Sequence, residues 1–217
     1  MRTFDELVAF VRARTAPAPV ALAPEIIVHQ ASELTSLWHA TAAELAGWDD
    51  SPFWAFPWAG GQALARYVLD HPALVRDRAV ADFATGSGLV AIAALRAGAT
   101  GVLALDVDPF CEAAVCVNGA LNGVVPEFRA GDAIGAPLRG VEVLLAGDVF
   151  YERSLAANSL AWFRSLAASG VRVLAGDADR TYGPRTGFEI MAEYDVPTTV
   201  EIEDGPSRHA RVLQILP

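Results

Sequence analysis

The chain has 217 residues, enough for one domain with a proper hydrophobic core and a small additional layer. Its 26 acidic residues outnumber its 16 basic ones, and the net charge of -10 disfavours binding to nucleic acid phosphates. Although 53% of the residues are hydrophobic, no uninterrupted apolar run approaches the ~18 residues of a membrane span, and the N-terminus lacks a signal-peptide pattern. We therefore predict a soluble, cytoplasmic, monomeric protein that binds neither membrane nor nucleic acid.

Residues 1–50 are predicted to form an N-terminal helical accessory layer, and residues 51–217 one compact domain. Thr3 and Glu6 fit a capping box, and hydrophobic residues follow at helical spacing. The Ala-Pro segment 16–24 predicts a linker, and segment 25–29 predicts a short strand. A second helix is predicted to begin after Ser32 and to end at Gly47.

The segment SPFWAFPWAGG predicts an aromatic loop, because Pro52 and Pro57 interrupt any single regular helix. Two interpretations of this loop stay open: a lid or substrate wall, or a plug of the core beside the first strand of the sheet. The next segment, GQALARYVL, predicts a helix.

From Asp77 onward, strand and helix patterns alternate, which predicts a parallel sheet covered on both faces. The predicted strands are RAVADF, VLALDV, VVPEFRA, VEVLLAG, VRVLAG, FEIMAEYDV and HARVLQIL. The last two are not separated by an obvious helix, so we expect an antiparallel hairpin at one edge of the sheet, joined through TTVEIEDGPSR. The sequence thus predicts an α/β, Rossmann-like fold with a seven-stranded, mostly parallel sheet.

The strongest local motif is ADFATGSGLVAIAA, in which Gly86, Gly88 and Ala91 fit the pattern G-x-G-x-x-A between a strand and a helix. A tight turn without any ligand is an alternative, because glycine and alanine are abundant in this chain. However, Asp106 ends the next strand, where an acid can accept hydrogen bonds from both ribose hydroxyls. Asp132 follows the third strand and could reach an adenine amino group. This order of residues predicts a cofactor that contains a nucleoside.

A dinucleotide and S-adenosylmethionine both contain a nucleoside, and Asp82 favours the second. An acid before the glycine turn disfavours a pyrophosphate, which uses the amides at the helix N-terminus, but can hold a methionyl ammonium directly or through water.

The motifs D-F-A-T-G-S-G, L-D-V-D-P, N-G-A-L-N-G and G-D-V-F-Y resemble those of the seven-β-strand (class I) protein lysine methyltransferases. With the preceding F-W-A-F-P-W-A-G-G-Q-A-L-A-R-Y, they most resemble the electron transfer flavoprotein beta subunit lysine methyltransferases and their bacterial relatives. The likeness is good over about residues 50 to 155. Ala84 departs from the family, whose turn usually has glycine there, so we expect backbone angles that an L-residue tolerates.

The resemblance implies S-adenosylmethionine as cofactor and an exposed lysine of a protein as substrate. That protein would be the electron transfer flavoprotein beta subunit, or alternatively a ribosomal protein. The predicted cofactor-binding residues are Trp58, Gly61, Gln62, Asp82, Ala84, Thr85, Gly86, Gly88, Asp106, Val107, Asp132 and Gly147.

The predicted catalytic residues lie in GDVFYE, at the end of the fourth strand of the sheet. A lysine amine has a reference pKa of ~10.4 and reacts only when neutral. Asp148 can orient the amine by accepting its hydrogen bond, and Phe150 and Tyr151 can present ring faces to the methylammonium product. Because an exposed carboxylate is a poor base, loss of the proton to water is an equal alternative. A structural alternative makes Asp148 the cap of the next helix and the two rings part of the core.

The cysteines and histidines of the chain indicate no additional catalytic or metal site. Cys111 and Cys116 lie well apart around one predicted helix and are expected to be core thiols. The four histidines are scattered, so we predict no metal site. An NAD(P)-dependent oxidoreductase and a non-catalytic binding module are the alternatives from other classes, but an oxidoreductase leaves Asp82 and the segment DVFY unexplained.

Overall fold

The computed structural model describes residues 3–31, 52–199, 203 and 205–217. Helix α1 (Phe4–Arg14) begins with the predicted capping box, in which Thr3 and Glu6 each bind the backbone N–H of the other. Its buried side chains pack against the aromatic loop before the main sheet and against a later helix. The second helix predicted between Ser32 and Gly47 lies outside the described residues.

The Ala-Pro segment is not the linker that we predicted. It contains strand β1 (Ala16–Pro19), which pairs antiparallel with β2 (Ile27–Gln30), the strand predicted from the following segment. Proline lacks a backbone N–H but is tolerated in an edge strand, so this composition is compatible with a two-stranded ribbon.

The main sheet and its helices follow the predicted alternation. The elements are α2 (Ala59–Asp70), β3 (Ala79–Phe83), α3 (Leu89–Arg96), β4 (Gly101–Asp106), α4 (Pro109–Leu121), β5 (Glu127–Ala130), β6 (Val143–Gly147), α5 (Arg153–Ala168), β7 (Arg172–Asp177), β8 (Phe188–Pro197) and β9 (Ser207–Ile215). The seven strands have the order β5-β4-β3-β6-β7-β9-β8. Strands β3 to β7 are parallel to their neighbours within that group, whereas β9 is antiparallel to both β7 and β8. The predicted Rossmann-like α/β fold and its antiparallel edge hairpin are confirmed.

Hydrophobic side chains cover both faces of the sheet, as the near-continuous apolar strands predict. In β6, Val143 and Leu145 face a cluster with α2 and α3, whereas Leu144 and Ala146 face the opposite cluster, which includes α5. The sheet is therefore held between helices, and its strand ends are left to form the site.

The two cysteines lie on α4, and only Cys111 is the core thiol that we expected. Cys116 is exposed, because it lies on a different side of the same helix. In the described part of the chain, none of the helices has the length and apolar character needed to cross a membrane.

Candidate active site

A cavity of about 510 Å³ opens at the carboxyl ends of β3, β4, β5 and β6. The chain leaves β3 toward β4 on one side and returns to β6 on the other, so the cavity lies where the strand order reverses. This is the position at which open α/β sheets bind ligands, and the volume suits a small-molecule cofactor. The predicted site residues that line the cavity are Trp58, Gly61, Asp82, Ala84, Thr85, Gly86, Asp106, Val107, Asp132, Gly147, Asp148 and Tyr151.

The glycine turn connects β3 to α3 with left-handed backbone at three positions. Gly86 has φ 51° and Gly88, the N-cap of α3, has φ 79°. A Cβ atom at Gly88 would lie 3.0 Å from Val115 Cγ2, so this glycine allows α3 to pack closely on α4. Our expectation for Ala84 was wrong, because its φ of 54° lies in the region that L-residues rarely adopt.

We expect Ala84→Gly to raise the free energy of unfolding slightly, by up to ~1 kcal/mol. A left-handed alanine costs about 1–2 kcal/mol, which exceeds the ~0.5–1 kcal/mol of added chain entropy that glycine brings. Thermal unfolding measures the change, and Gly86→Ala, which places a Cβ at φ 51°, should shift the midpoint in the opposite direction. A marked fall in the unfolding temperature of Ala84→Gly would contradict this account.

Asp106 and Asp132 extend from neighbouring strand ends toward the cavity. Asp106 accepts hydrogen bonds from the N–H of Gly86 at 2.9 Å and of Asp108 at 3.1 Å, so the acid of β4 fixes the turn after β3. Asp132 is exposed and accepts a bond from Ile134 N at 2.9 Å. The two carboxylates therefore lie along one wall of the cavity.

Asp82, at the end of β3, is only 1% exposed. Its Oδ2 accepts bonds from Thr85 Oγ1 at 2.6 Å and from Ala91 N, in the first turn of α3, at 2.9 Å. Burial raises the pKa of Asp82 to about 7, although both hydrogen bonds lower it and Asp106 adds to the rise. An acid therefore already occupies part of the α3 N-terminus.

Asp148 is also buried, with 7% exposure, so our premise that this carboxylate is exposed was wrong. It follows β6 with a left-handed φ of 53°, and its N–H donates to Gly176 O on β7 at 2.9 Å. Its Oδ2 accepts from Gly61 N at 2.9 Å, and its Oδ1 accepts from Arg180 Nε at 2.9 Å. Burial raises the pKa of Asp148 to about 6 despite the nearby Arg180.

Glycines bring the N-terminus of α2 against the ends of β6 and β7. A Cβ atom at Gly147 would lie 2.8 Å from Gly61 Cα, and one at Gly176 would overlap the Gly60 carbonyl. Only residues without a side chain permit this approach. The contact places the N–H of Gly61 on Asp148, and it explains the glycine at position 60, whose Cβ would lie 2.6 Å from Gly176 O.

The helix after GDVFYE is capped by Glu152, whose carboxylate accepts from Ser154 N at 2.8 Å and Leu155 N at 2.7 Å. The structural alternative in which Asp148 caps this helix is therefore wrong. The two rings of the motif separate: Phe150 is fully buried, whereas Tyr151 is 47% exposed and lines the cavity.

Each of the two interpretations that the sequence left open holds for a different part of the aromatic loop. Trp54 is 1% exposed and stacks on Phe110 of α4, with 5.6 Å between ring centroids, so it plugs the core. Trp58 and Phe53 face the cavity, and Phe53 lies 5.3 Å from the ring of Tyr151. The same loop thus completes the core and forms a wall of the site.

The paired asparagines of α4 join the N-terminal ribbon to the site. Asn118 Oδ1 accepts from His29 N at 2.7 Å, and its Nδ2 donates to Ser87 O in the glycine turn at 2.8 Å. Asn122 binds the N–H and C=O of Ile27 at 3.0 and 2.6 Å. These side chains therefore hold β2 and the turn in fixed positions on α4.

Three described residues of the predicted site lie away from the cavity wall: Gln62, Gly88 and Phe150. Gln62 instead joins two loops, donating to Pro57 O at 2.7 Å and accepting from Leu22 N at 3.1 Å.

Sequence reasoning missed Arg180 and Glu203. Arg180 lines the cavity, and its guanidinium lies 5.9 Å from the Trp58 ring. Glu203 binds that guanidinium from the connection between β8 and β9. Arg180 lies three residues after the end of β7, so the rule that strand ends carry site residues could have found it, whereas no local signal identifies Glu203.

Known proteins resemble this chain in sequence and in fold. The family model for ribosomal protein L11 methyltransferase (PrmA) matches residues 63–146, from α2 to β6. The electron transfer flavoprotein beta subunit lysine methyltransferase of Mus musculus is 34% identical over 189 residues, which cover 84% of this chain and 73% of the relative. The corresponding protein of Rattus norvegicus is 38% identical over 182 residues, 81% of this chain and 71% of the relative.

Among solved structures, magnesium protoporphyrin IX methyltransferase from Synechocystis PCC 6803 with bound SAM has a TM-score of 0.52 and 17% identity, and the match covers 72% of this chain and 80% of that one. That likeness supports the fold alone, which is the class I methyltransferase fold. The family rests on the two mammalian relatives, since their identity extends over most of both chains. The chain belongs to the electron transfer flavoprotein beta subunit lysine methyltransferase family.

Proposed function

We propose that this protein transfers a methyl group from S-adenosylmethionine to a lysine side chain of the electron transfer flavoprotein beta subunit. The single observation that carries the proposal is Asp148, a buried carboxylate at the cavity wall that is fixed by Gly61 and Arg180. A carboxylate attracts an ammonium group, and the rings of Tyr151 and Trp58 line the same cavity.

Asp148 can accept a hydrogen bond from the lysine amine and fix the direction of its lone pair. A carboxylate has about four acceptor positions, and the two protein donors use one on each oxygen. Since its pKa is about 6, Asp148 is a stronger base than an exposed aspartate and is still ionised at neutral pH.

The cavity residues fit S-adenosylmethionine, which supplies an activated methyl group on a sulfonium when bound. Asp106 would hold the ribose hydroxyls, Asp132 the adenine amino group, and Asp82 the methionyl ammonium, directly or through water. Trp54 Nε1 is a buried donor without a partner among the described residues, and Trp54 is one of the residues that line the cavity. Buried donors are normally paired, so this nitrogen is consistent with a ligand or water at this wall.

A nicotinamide dinucleotide fits these residues less well. Its pyrophosphate would need the amides at the N-terminus of α3, but Asp82 already binds Ala91 N there. Above the pKa of Asp82, about 7, a second anion near this carboxylate would meet like charge.

Calorimetry on the purified protein is expected to show binding of S-adenosylhomocysteine and none of NAD. The reason is the acid at the α3 N-terminus, which favours a cationic over an anionic group. Tight binding of NAD with no response to S-adenosylhomocysteine would contradict the proposal.

Mass spectrometry can identify the methylated protein after incubation with labelled S-adenosylmethionine. Purified electron transfer flavoprotein and ribosomal protein L11 should be offered separately, because the family model matched over 63–146 supports the ribosomal alternative. We expect methyllysine in the flavoprotein beta subunit. Methylation of L11 alone would contradict the proposed substrate and would favour the ribosomal protein instead.

A further inference from the structure

Arg180 forms a buried bridge between two carboxylates beside the cavity. Its Nε donates to Asp148 Oδ1 at 2.9 Å, and its two terminal nitrogens donate to Glu203 at 2.9 and 2.7 Å. Only 17% of the Arg180 side chain and 1% of the Glu203 side chain are exposed. Such a two-pronged contact is rigid, because the planar guanidinium matches a carboxylate in geometry.

Both carboxylates also bind the N-terminus of α2. Glu203 Oε1 accepts from Ala59 N at 3.2 Å, and Asp148 Oδ2 accepts from Gly61 N at 2.9 Å. The acids thus complement the positive end of the helix dipole. Arg180, Glu203 and α2 together fix the Asp148 carboxylate from three separate parts of the chain.

We propose that Arg180, anchored by Glu203, is a positioning residue that keeps Asp148 ionised and directs its remaining lone pairs toward the lysine amine. This inference rests on the proposed function. Arg180 acts through Asp148, because each of its three guanidinium nitrogens donates to one of the two acids.

The charges around Asp148 have opposite effects on it. Burial raises the pKa of Asp148, Arg180 and the Gly61 N–H lower it, and Glu203 raises it. The other titratable groups on the cavity walls are Asp82, Asp106, Asp108, Cys111, Asp132 and Tyr151. Loss of Arg180 should therefore raise the pH at which Asp148 ionises, whereas loss of the Glu203 charge should lower it.

The test is the pH dependence of kcat/KM for the lysine substrate at saturating S-adenosylmethionine, from about pH 5 to pH 9. In the unmodified protein, log kcat/KM should rise with a slope of two below about pH 6 and one above it, because Asp148 and the amine must both lose protons. In Arg180→Met the break should move up by about 1 pH unit or more. In Glu203→Gln it should move down.

Two further variants separate charge from geometry. Arg180→Lys should keep the break closer to pH 6 but still lose about tenfold in kcat, because an ammonium cannot bridge both acids in the same way. Arg66→Met is the matched control, since Arg66 also bridges two acids, Glu25 at 2.7 Å and Asp70 at 2.6 Å, and lies outside the cavity lining among the described residues. It should keep the profile of the unmodified protein.

The carbon-13 resonance of the Asp148 carboxyl group reports the same ionisation without turnover. An unchanged Asp148 titration in both Arg180→Met and Glu203→Gln would overturn the inference, as would shifts in the same direction for these two variants. If the unmodified protein methylates no lysine while these titrations shift as expected, the proposed function fails and the electrostatic coupling stands. If Arg180→Met does not fold, the two conservative variants carry the test.

Discussion

Asp148→Asn is expected to slow methyl transfer by two to three orders of magnitude and to leave the affinity for S-adenosylhomocysteine nearly unchanged. Asparagine is close to aspartate in shape but lacks the charge that attracts and orients the amine. Orientation can supply several kcal/mol of barrier reduction, and a loss of ~3 to 4 kcal/mol corresponds to this change in rate. Single-turnover methylation and calorimetry on the same preparation measure the two quantities.

Relative to the unmodified protein, the thermal stability of Asp148→Asn should increase as the pH rises through about 6. In the folded protein the pKa of Asp148 is raised from 3.8 to about 6, so folding favours the neutral carboxyl. The contribution of Asp148 to stability is therefore largest below pH 3.8 and decreases as pH rises through about 6. A neutral asparagine avoids this loss but gives up the charge-assisted bond to Arg180, and the two effects oppose each other. Asparagine is a sharper test than alanine, because it keeps one acceptor oxygen and leaves only one of Gly61 N and Arg180 Nε without an acceptor, whereas alanine leaves both without one.

Glu152→Ala is the matched control in the same segment. Glu152 caps α5 through two backbone N–H groups, so its loss should lower the unfolding temperature and spare the rate. Should Asp148→Asn methylate its substrate at the normal rate, the catalytic role of this aspartate must be abandoned.

The acids of the site could be predicted because parallel strands align their carboxyl ends. Asp82, Asp106, Asp132 and Asp148 each follow or end a strand whose apolar pattern is clear, and the four strands are neighbours in the sheet. The order of the strands in the sheet then determines the arrangement of the acids along the cavity, which is Asp132, Asp106, Asp82 and Asp148. Local sequence was sufficient to predict these four acids, since the position of each one depends on only one strand.

Residues whose position depends on distant parts of the chain could not be predicted in the same way. Phe150 is in the predicted motif, but the bend at Asp148 places its ring in the core between the sheet and α5. Glu203 reaches the site because it lies beside the N-terminus of α2, where its Oε1 accepts from Ala59 N. The burial of Asp148 follows from the close packing of Gly60 and Gly61 on β6 and β7, which the sequence of GDVFYE does not contain.

Asp106→Ala is expected to weaken binding of S-adenosylhomocysteine by about 1.5 to 3 kcal/mol, or roughly 10-fold to 150-fold. The substitution removes the carboxylate that we assign to the ribose hydroxyls, and it also removes the acceptor for Gly86 N in the glycine turn. Turnover at saturating cofactor should fall much less than in Asp148→Asn, because Asp106 lies at the end of β4, two strands away from β6. Calorimetry measures the affinity, and Asp179→Ala serves as control, since Asp179 also follows a strand but pairs with Arg211 at 2.7 Å. An affinity of Asp106→Ala equal to that of the control would place the ribose elsewhere in the cavity.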